Sequence, residues 1–246
     1  MKTLGSTILT AARQHAWIAL LIFTICLCLF PIGYRITRIF LLASAAILFM
    51  WGIFLLRRHK LAVFTILVIG LIVLAWLYSS GKPGDPNILK QSYIQSLKQY
   101  KGTLYVWGGE NRIGIDCSGL VRRGLINANM KTGLLTLNQK LIRTALVLWW
   151  NDCSARALRD EYHGFTTRLF QAGSINSIDS TTLSPGDLAV TSDGVHVLAY
   201  LGDKTWIEAD PSVMKVIMVS TPSDNMWFKI PVQILRWNQL KESPNQ

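Results

Sequence analysis

Half of the 246 residues are apolar and only 16% are charged, against about a quarter in an average soluble domain. The net charge of +11 is unevenly held: residues 1–78 carry seven basic and no acidic residues, and residues 79–246 carry the other 18 basic and all 14 acidic ones. This excludes one uniformly solvated domain. Because the basic excess of the first part sits at the ends of apolar runs, it reads as membrane orientation and not as nucleic-acid binding.

Three uncharged apolar runs come first: Ala16–Tyr34, Ile39–Leu56 and Leu61–Tyr78. Each approaches the length that crosses a hydrocarbon core of about 30 Å as a helix. The short basic connections Arg35–Arg38 and Arg57–Lys60 force antiparallel neighbours, and Pro31 falls near the end of the first span, where a lost helix bond costs least. A cleaved signal peptide is the other reading of the first run. No small-x-small site follows Phe30, and two further spans come next. The densest basic cluster, Arg57–Lys60, belongs in the cytoplasm. That places the N-terminus inside and the C-terminal part outside, although Arg35 and Arg38 then lie on the less favoured side. Residues 1–78 therefore read as a three-helix anchor.

Ser79–Asn87 (SSGKPGDPN) has the composition of a linker. Residues 88–246 form a domain large enough to bury a core, running to about Trp237 and ending in a frayed tail, ESPNQ. Ile88–Tyr100 has helical spacing, Leu104–Trp107 is extended, Cys117–Ile126 begins a helix, and Leu134–Arg159 contains more helix. Strands are expected at Leu188–Val190, Val195–Leu201, Lys204–Ala209 and Val213–Val219, separated by Asp193-Gly194, Gly202-Asp203 and Asp210-Pro211-Ser212. Helices followed by a meander of strands give an α+β domain, with helices packed on an antiparallel sheet.

Cys26 and Cys28 lie within an apolar run, and Cys117 and Cys153 lack zinc spacing. No metal or cofactor is called for. A Cys117–Cys153 disulfide suits an oxidising compartment, but Cys117 has a chemical explanation. A cysteine at a helix N-terminus gains acidity, and the free N–H groups of that first turn can hold an oxyanion. A base must come from elsewhere in the chain. His15 and His59 flank the apolar runs, and His163 lies in a polar stretch. His196 lies on an expected strand, with Glu208 or Asp210 on the strand after the Gly202-Asp203 turn. Either carboxylate could hold the imidazole by its Nδ1–H.

Four phrases occur in order: Tyr105-Val106-Trp107-Gly108-Gly109; Gly114-Ile115-Asp116-Cys117-Ser118-Gly119-Leu120-Val121; Leu183-Ser184-Pro185-Gly186-Asp187-Leu188; and Val195-His196-Val197-Leu198-Ala199-Tyr200-Leu201-Gly202. As a set they resemble the sequence blocks of NlpC/P60 peptidases. The resemblance implies a papain-like fold over about Tyr93–Pro211, with a Cys117 nucleophile, a His196 base and an active-site Tyr105. It sets Asp116 and Ser118 with Tyr105 on the substrate and oxyanion side. It implies cleavage of peptide bonds in peptidoglycan stem peptides; with the three apolar runs and the basic clusters, which it does not cover, the expectation is a multi-pass protein of the bacterial inner membrane whose partners are those peptides and the lipid bilayer, with no nucleic acid.

The sequence departs from the family pattern twice. Where the family usually has His, Asn or Gln, Ile207-Glu208-Ala209-Asp210 offers Glu208 as third residue, with Asp210 as second choice. A carboxylate here would favour a thiolate–imidazolium pair. The stretch Asn127–Thr182, with Trp149, Trp150, Cys153, Arg156 and Arg159, is long for the family and reads as ordinary helix packing or as a substrate wall. Two other functions stay open: a decayed, non-enzymatic relative that binds or assembles, and an acyl-transferring or lipid-processing relative.

Overall fold

The computed structural model describes residues 2–241, with side chains from His15 onward. The ESPNQ tail, and the side chains of Lys2 and Arg13, lie outside the described residues. Three apolar helices come first: α1 (Lys2–Leu29), α2 (Arg35–Leu55) and α3 (Lys60–Tyr78). A single 3-10 turn, Leu56–Arg58, joins α2 to α3. Among the described residues two stretches, Arg35–Arg58 and Lys60–Tyr78, are long and apolar enough to cross a membrane, and almost none of their side chains is buried.

The expected first span, Ala16–Tyr34, is not one helix. Its apolar helical part is His15–Leu29, shorter than a span needs. Pro31 has no N–H to continue the ladder, and α1 stops two residues earlier. Ile32 then pairs with Gly109 of the C-terminal domain. The turn is therefore 30–34, and Arg35–Arg38, expected to be the connection, form the first turn of α2.

The segment expected as a linker is short and held. Asp85 caps α4 (Pro86–Lys98) by accepting from the N–H groups of Asn87 and Ile88, and Pro86 opens the helix, where its missing N–H does no harm. The apolar face of α4, carrying Leu89, Tyr93 and Leu97, packs on α5 (Cys117–Leu135). Next come α6 (Gln139–Trp150), capped by Asn138, and α7 (Ala155–Arg159), capped by Ser154.

The sheet has six antiparallel strands: β1 (Thr166–Ala172), β2 (Leu188–Thr191), β3 (Val197–Gly202), β4 (Thr205–Asp210), β5 (Lys215–Ser220) and β6 (Val232–Trp237), in the order β1-β6-β2-β3-β4-β5. This is the expected α+β architecture. The central strands are buried along most of their length, because each face has its own apolar layer. Leu120, Leu125, Leu188, Ile207 and Leu235 belong to the layer under the helices. Ile175, Leu198, Trp206, Phe228 and Ile234 form the layer on the opposite face. Asp187, 1% exposed, ties the Ser-Pro-Gly-Asp turn to the neighbouring strand β6 by a bidentate pair with Arg236 at 2.6 and 2.7 Å.

Candidate active site

Cys117 is the first residue of α5, and the preceding loop fixes it there. Tyr105 and Glu110 both pair with Ile115, folding 104–116 back on itself. Asp116 caps the helix: Oδ1 accepts from the Gly119 N–H at 2.5 Å and from the Ser118 hydroxyl at 3.0 Å. Its Oδ2 accepts from the Gly108 N–H at 2.8 Å, binding helix to loop. Gly119 is required by close approach, since a Cβ there would run into the Gly109 carbonyl. The Cys117 side chain is 6% exposed and its sulfur lies 4.0 Å from the Val195 carbonyl, so it abuts the segment that carries His196.

That segment comes from the other half of the domain. The Thr191 hydroxyl accepts from the N–H groups of Val195 and His196 at 3.1 and 3.0 Å and fixes the turn into β3. The His196 ring stacks on Trp227 at 4.2 Å between centroids. Its Nε2 meets Glu208 Oε2 at 2.7 Å, and both residues are 2% exposed or less. Glu208 Oε1 accepts from Asn225 Nδ2 at 2.9 Å, and the same amide donates to Asp210 Oδ2 at 3.0 Å. Asp210 also accepts from Ser212.

The electrostatics follow from burial. Desolvation pushes the Cys117 thiol up to about 12; Asp116 adds to this, and backbone N–H groups oppose it. Desolvation also raises the Cys153 thiol, against the pull of Arg122. Burial raises the Tyr105 phenol, with the neighbouring Cys117 and Asp116 adding to the effect. Burial raises Glu208 above the ordinary carboxylate value, opposed by its bond to His196. Asp210 ends below its ordinary value, because hydrogen bonds from Ser212 and Asn225 outweigh its desolvation.

The structure thus brings Tyr105, Asp116, Cys117, Ser118, His196 and Glu208 into one neighbourhood. Four details differ from the sequence reading. The carboxylate meets Nε2 and not Nδ1. His196 stands one residue before its strand, in the turn. Asp210 bonds to Asn225 and Ser212, and none of its hydrogen bonds goes to the imidazole. The side chain of Asp116 is engaged in capping and its N–H donates to the Gly109 carbonyl, and the one Ser118 hydroxyl proton lies between Asp116 Oδ1 and the Cys153 carbonyl, so of the two only the Ser118 N–H can be offered to an oxyanion. Asn225 and Trp227 were not foreseen. Both lie beyond β5, in a stretch with no strand periodicity, and nothing in the sequence ties them to a histidine 30 residues away. Cys117 and Cys153 are free thiols. In the long stretch after α5, Trp149 and Cys153 pack on the core, and the Leu148 and Asn151 carbonyls accept from the buried Arg122.

The fold is similar to that of several solved structures. These include NlpC2 from Trichomonas vaginalis (19% identity, TM-score 0.39, covering 66% of this chain and 50% of that one). The peptidoglycan hydrolase RipB from Mycobacterium tuberculosis is another (18%, TM-score 0.40, 64% and 67%). A third is the P60 domain of an antigen of M. avium subspecies paratuberculosis (18%, TM-score 0.39, 64% and 98%). The chain spans half the length of the Trichomonas protein that it matches. A comparison with curated proteins finds no match. The model of the NlpC/P60 family matches residues 102–236, from the loop before Cys117 to the last strand and more than half of the sequence, and the chain belongs to that family.

Proposed function

We propose that this protein is a cysteine peptidase that hydrolyses amide bonds in peptidoglycan stem peptides, working beside a membrane crossed by α2 and α3. The observation that carries this reading is the buried His196–Glu208 pair at 2.7 Å, whose histidine follows Val195, the residue whose carbonyl lies 4.0 Å from the Cys117 sulfur. Glu208 holds Nε2, which leaves Nδ1 for the thiol. As sulfur attacks the scissile carbonyl carbon, its proton passes to Nδ1 and the carbonyl oxygen becomes an oxyanion, held by first-turn N–H groups of α5. The C–N bond then breaks, Nδ1–H protonates the leaving amine, and a thioester remains. Water, deprotonated by the same imidazole, hydrolyses the thioester and restores the thiol. Tyr105, beside the sulfur, lines the substrate side.

Several features support the setting. The chain belongs to the NlpC/P60 family, and the two apolar helices give residues 1–78 the character of an anchor. With Arg57–Lys60 in the cytoplasm, the domain from α4 onward faces the wall across the inner membrane. The departure at Glu208, which favoured a decayed relative, is met by the carboxylate's direct contact with His196. The test is release of stem-peptide fragments from peptidoglycan by the detergent-solubilised full chain, with lipid esters assayed in parallel. Cys117→Ala should abolish release. Full activity in that variant, or turnover of lipid esters alone, would overturn the reading. A reporter fused after Gln246 tests the orientation.

A further inference from the structure

The α1–α2 junction does not stand apart from the peptidase domain. Gly33 N–H donates to the Gly108 carbonyl at 3.0 Å, and Glu110 N–H donates to the Pro31 carbonyl at 2.8 Å. Asn111 Nδ2 reaches the carbonyls of Leu29 and Phe30 at 3.1 and 3.0 Å. Arg38, in the first turn of α2 and 3% exposed, sets one guanidinium nitrogen 3.0 Å from both oxygens of Glu110. The other nitrogen bonds Asp152 at 2.8 Å and the Trp150 carbonyl at 3.1 Å. Arg122 of α5 contacts the same Glu110 carboxylate. A Cβ on Gly33 would lie 2.5 Å from Glu110 Oε2, so a side chain there would displace the carboxylate from its present place.

Every one of these contacts with the domain's loop falls on residues 108–111, and that loop also locates the nucleophile. Gly108 offers its N–H to Asp116 Oδ2 and its carbonyl to Gly33, while the Gly109 carbonyl accepts from the Asp116 N–H at 3.1 Å. The strip 108–110 therefore has one edge on the cap of α5 and the other on the junction. We propose that the α1–α2 junction is a positioning element of the active site, with Arg38 as its principal residue. It holds loop 108–111 in the conformation that caps the Cys117 helix. The junction lies outside the matched family segment, 102–236, so this support is additional to the family domain. It also accounts for Arg38, which sits on the unfavoured side in a count of positive charges and here serves as an ion-paired strut. The proposal rests on Cys117 being the nucleophile, and the experiment keeps the two apart.

The full chain in detergent is compared with Arg38→Ala, Arg38→Lys and Asn111→Asp. The last keeps the loop's own Oδ acceptor, removes the amide donor to α1 and sets a carboxylate against the Leu29 and Phe30 carbonyls. Arg35→Ala, exposed on the same turn, is the control for charge alone. Two quantities are read: amide hydrogen exchange over residues 104–121, and kcat with KM on stem peptides. Arg38→Ala should speed exchange in that segment and lower kcat, each on the order of tenfold, with KM little changed and strands β2 and β3 still protected. Arg38→Lys, with charge but no fork, should fall between. Asn111→Asp should move the same way by less, and Arg35→Ala should match wild type. Unchanged exchange at 104–121, or unchanged kcat, in both Arg38→Ala and Asn111→Asp overturns the proposal. A wild type inert on stem peptides whose 104–121 exchange still responds to Arg38→Ala removes the peptidase reading and upholds the coupling of junction to loop.

Discussion

The two halves of the candidate site are built in opposite ways. The His196 side is self-contained: Thr191, Glu208, Asp210, Asn225 and Trp227 all come from the sheet and the segment after it. The Cys117 side is assembled from distant pieces. Its loop is held by the cap residue Asp116, by the α1–α2 junction and by a carboxylate shared between Arg38 and Arg122. His196 is thus held by local sheet geometry, whereas the loop before Cys117 is in contact with residues 70 or more positions away. A sheet suits the first task because its register fixes side chains relative to one another. A helix start suits the second, because its free N–H groups are the chemistry required.

The comparison can be broken at several points. Cys117→Ala carries the largest expected effect, a fall of about 10^4-fold in release of stem peptides, with the far-ultraviolet circular dichroism retained; measurable residual turnover at wild-type rates would show that the helix start is not the reacting centre. Next is Glu208→Ala, expected to lose about 10^2-fold in kcat, because it frees the ring that Nε2 anchors. Glu208→Gln keeps a hydrogen-bond acceptor there and should stay within about tenfold. The same pair carries a pH test. Burial raises Glu208 in the fold, so its carboxylate takes up a proton as pH falls at a higher pH than an ordinary glutamate does. In the wild-type profile that step should appear as a fall of no more than about tenfold, to the level of Glu208→Gln, and in Glu208→Gln the step should be absent. A step that persists in Glu208→Gln would assign it to another group.

A third test asks whether the halves communicate. Burial pushes both Cys117 and Cys153 upward, so burial alone gives neither thiol a kinetic advantage. Faster alkylation of Cys117 at neutral pH would therefore report the imidazole. His196→Ala should erase that advantage and leave Cys153 labelling unchanged. Equal rates for the two thiols in wild type would leave His196 without a role as base. The smallest expected effects lie around the base. Asn225→Ala removes the donor that spans Glu208 and Asp210, at about 1–3 kcal/mol of stability, seen as a lowered Tm. Trp227→Phe keeps a ring over His196 and should cost less.

Much of this was legible in the sequence, for identifiable reasons. α4 and α5 carry capping aspartates and apolar spacing, and β2 to β5 are bounded by Gly and Asp turns; these are local signals. β1 and β6 were missed. β6 pairs with β2 and with the edge strand β1, and β1 is mostly half-exposed or exposed, so its pattern does not alternate cleanly. The break at Phe30–Tyr34 was hidden because apolar composition continues through it. Only Pro31 and Gly33 mark the turn, and the partner strip at Gly108–Asn111 lies some 75 positions on. Cys117, His196 and Glu208 could be singled out because they stand within or beside recognisable sequence blocks. Asn225 and Arg38 could not, since each acts through a tertiary contact that leaves no periodic trace.

The segment between α3 and α4 has a further consequence. Arg143 bonds the carbonyls of Leu77 and Ser79, Gln139 reaches the Ser79 hydroxyl at 2.6 Å, and Asn138 takes the Lys82 carbonyl at 3.0 Å. A tether laid flat against α6 has no slack to let out. With α2 and α3 in a bilayer, the domain has a leash of almost zero length, and its reach is its own radius. Such an enzyme would trim only the innermost wall layer that drifts against the membrane, and lengthening the leash would widen the zone it can graze.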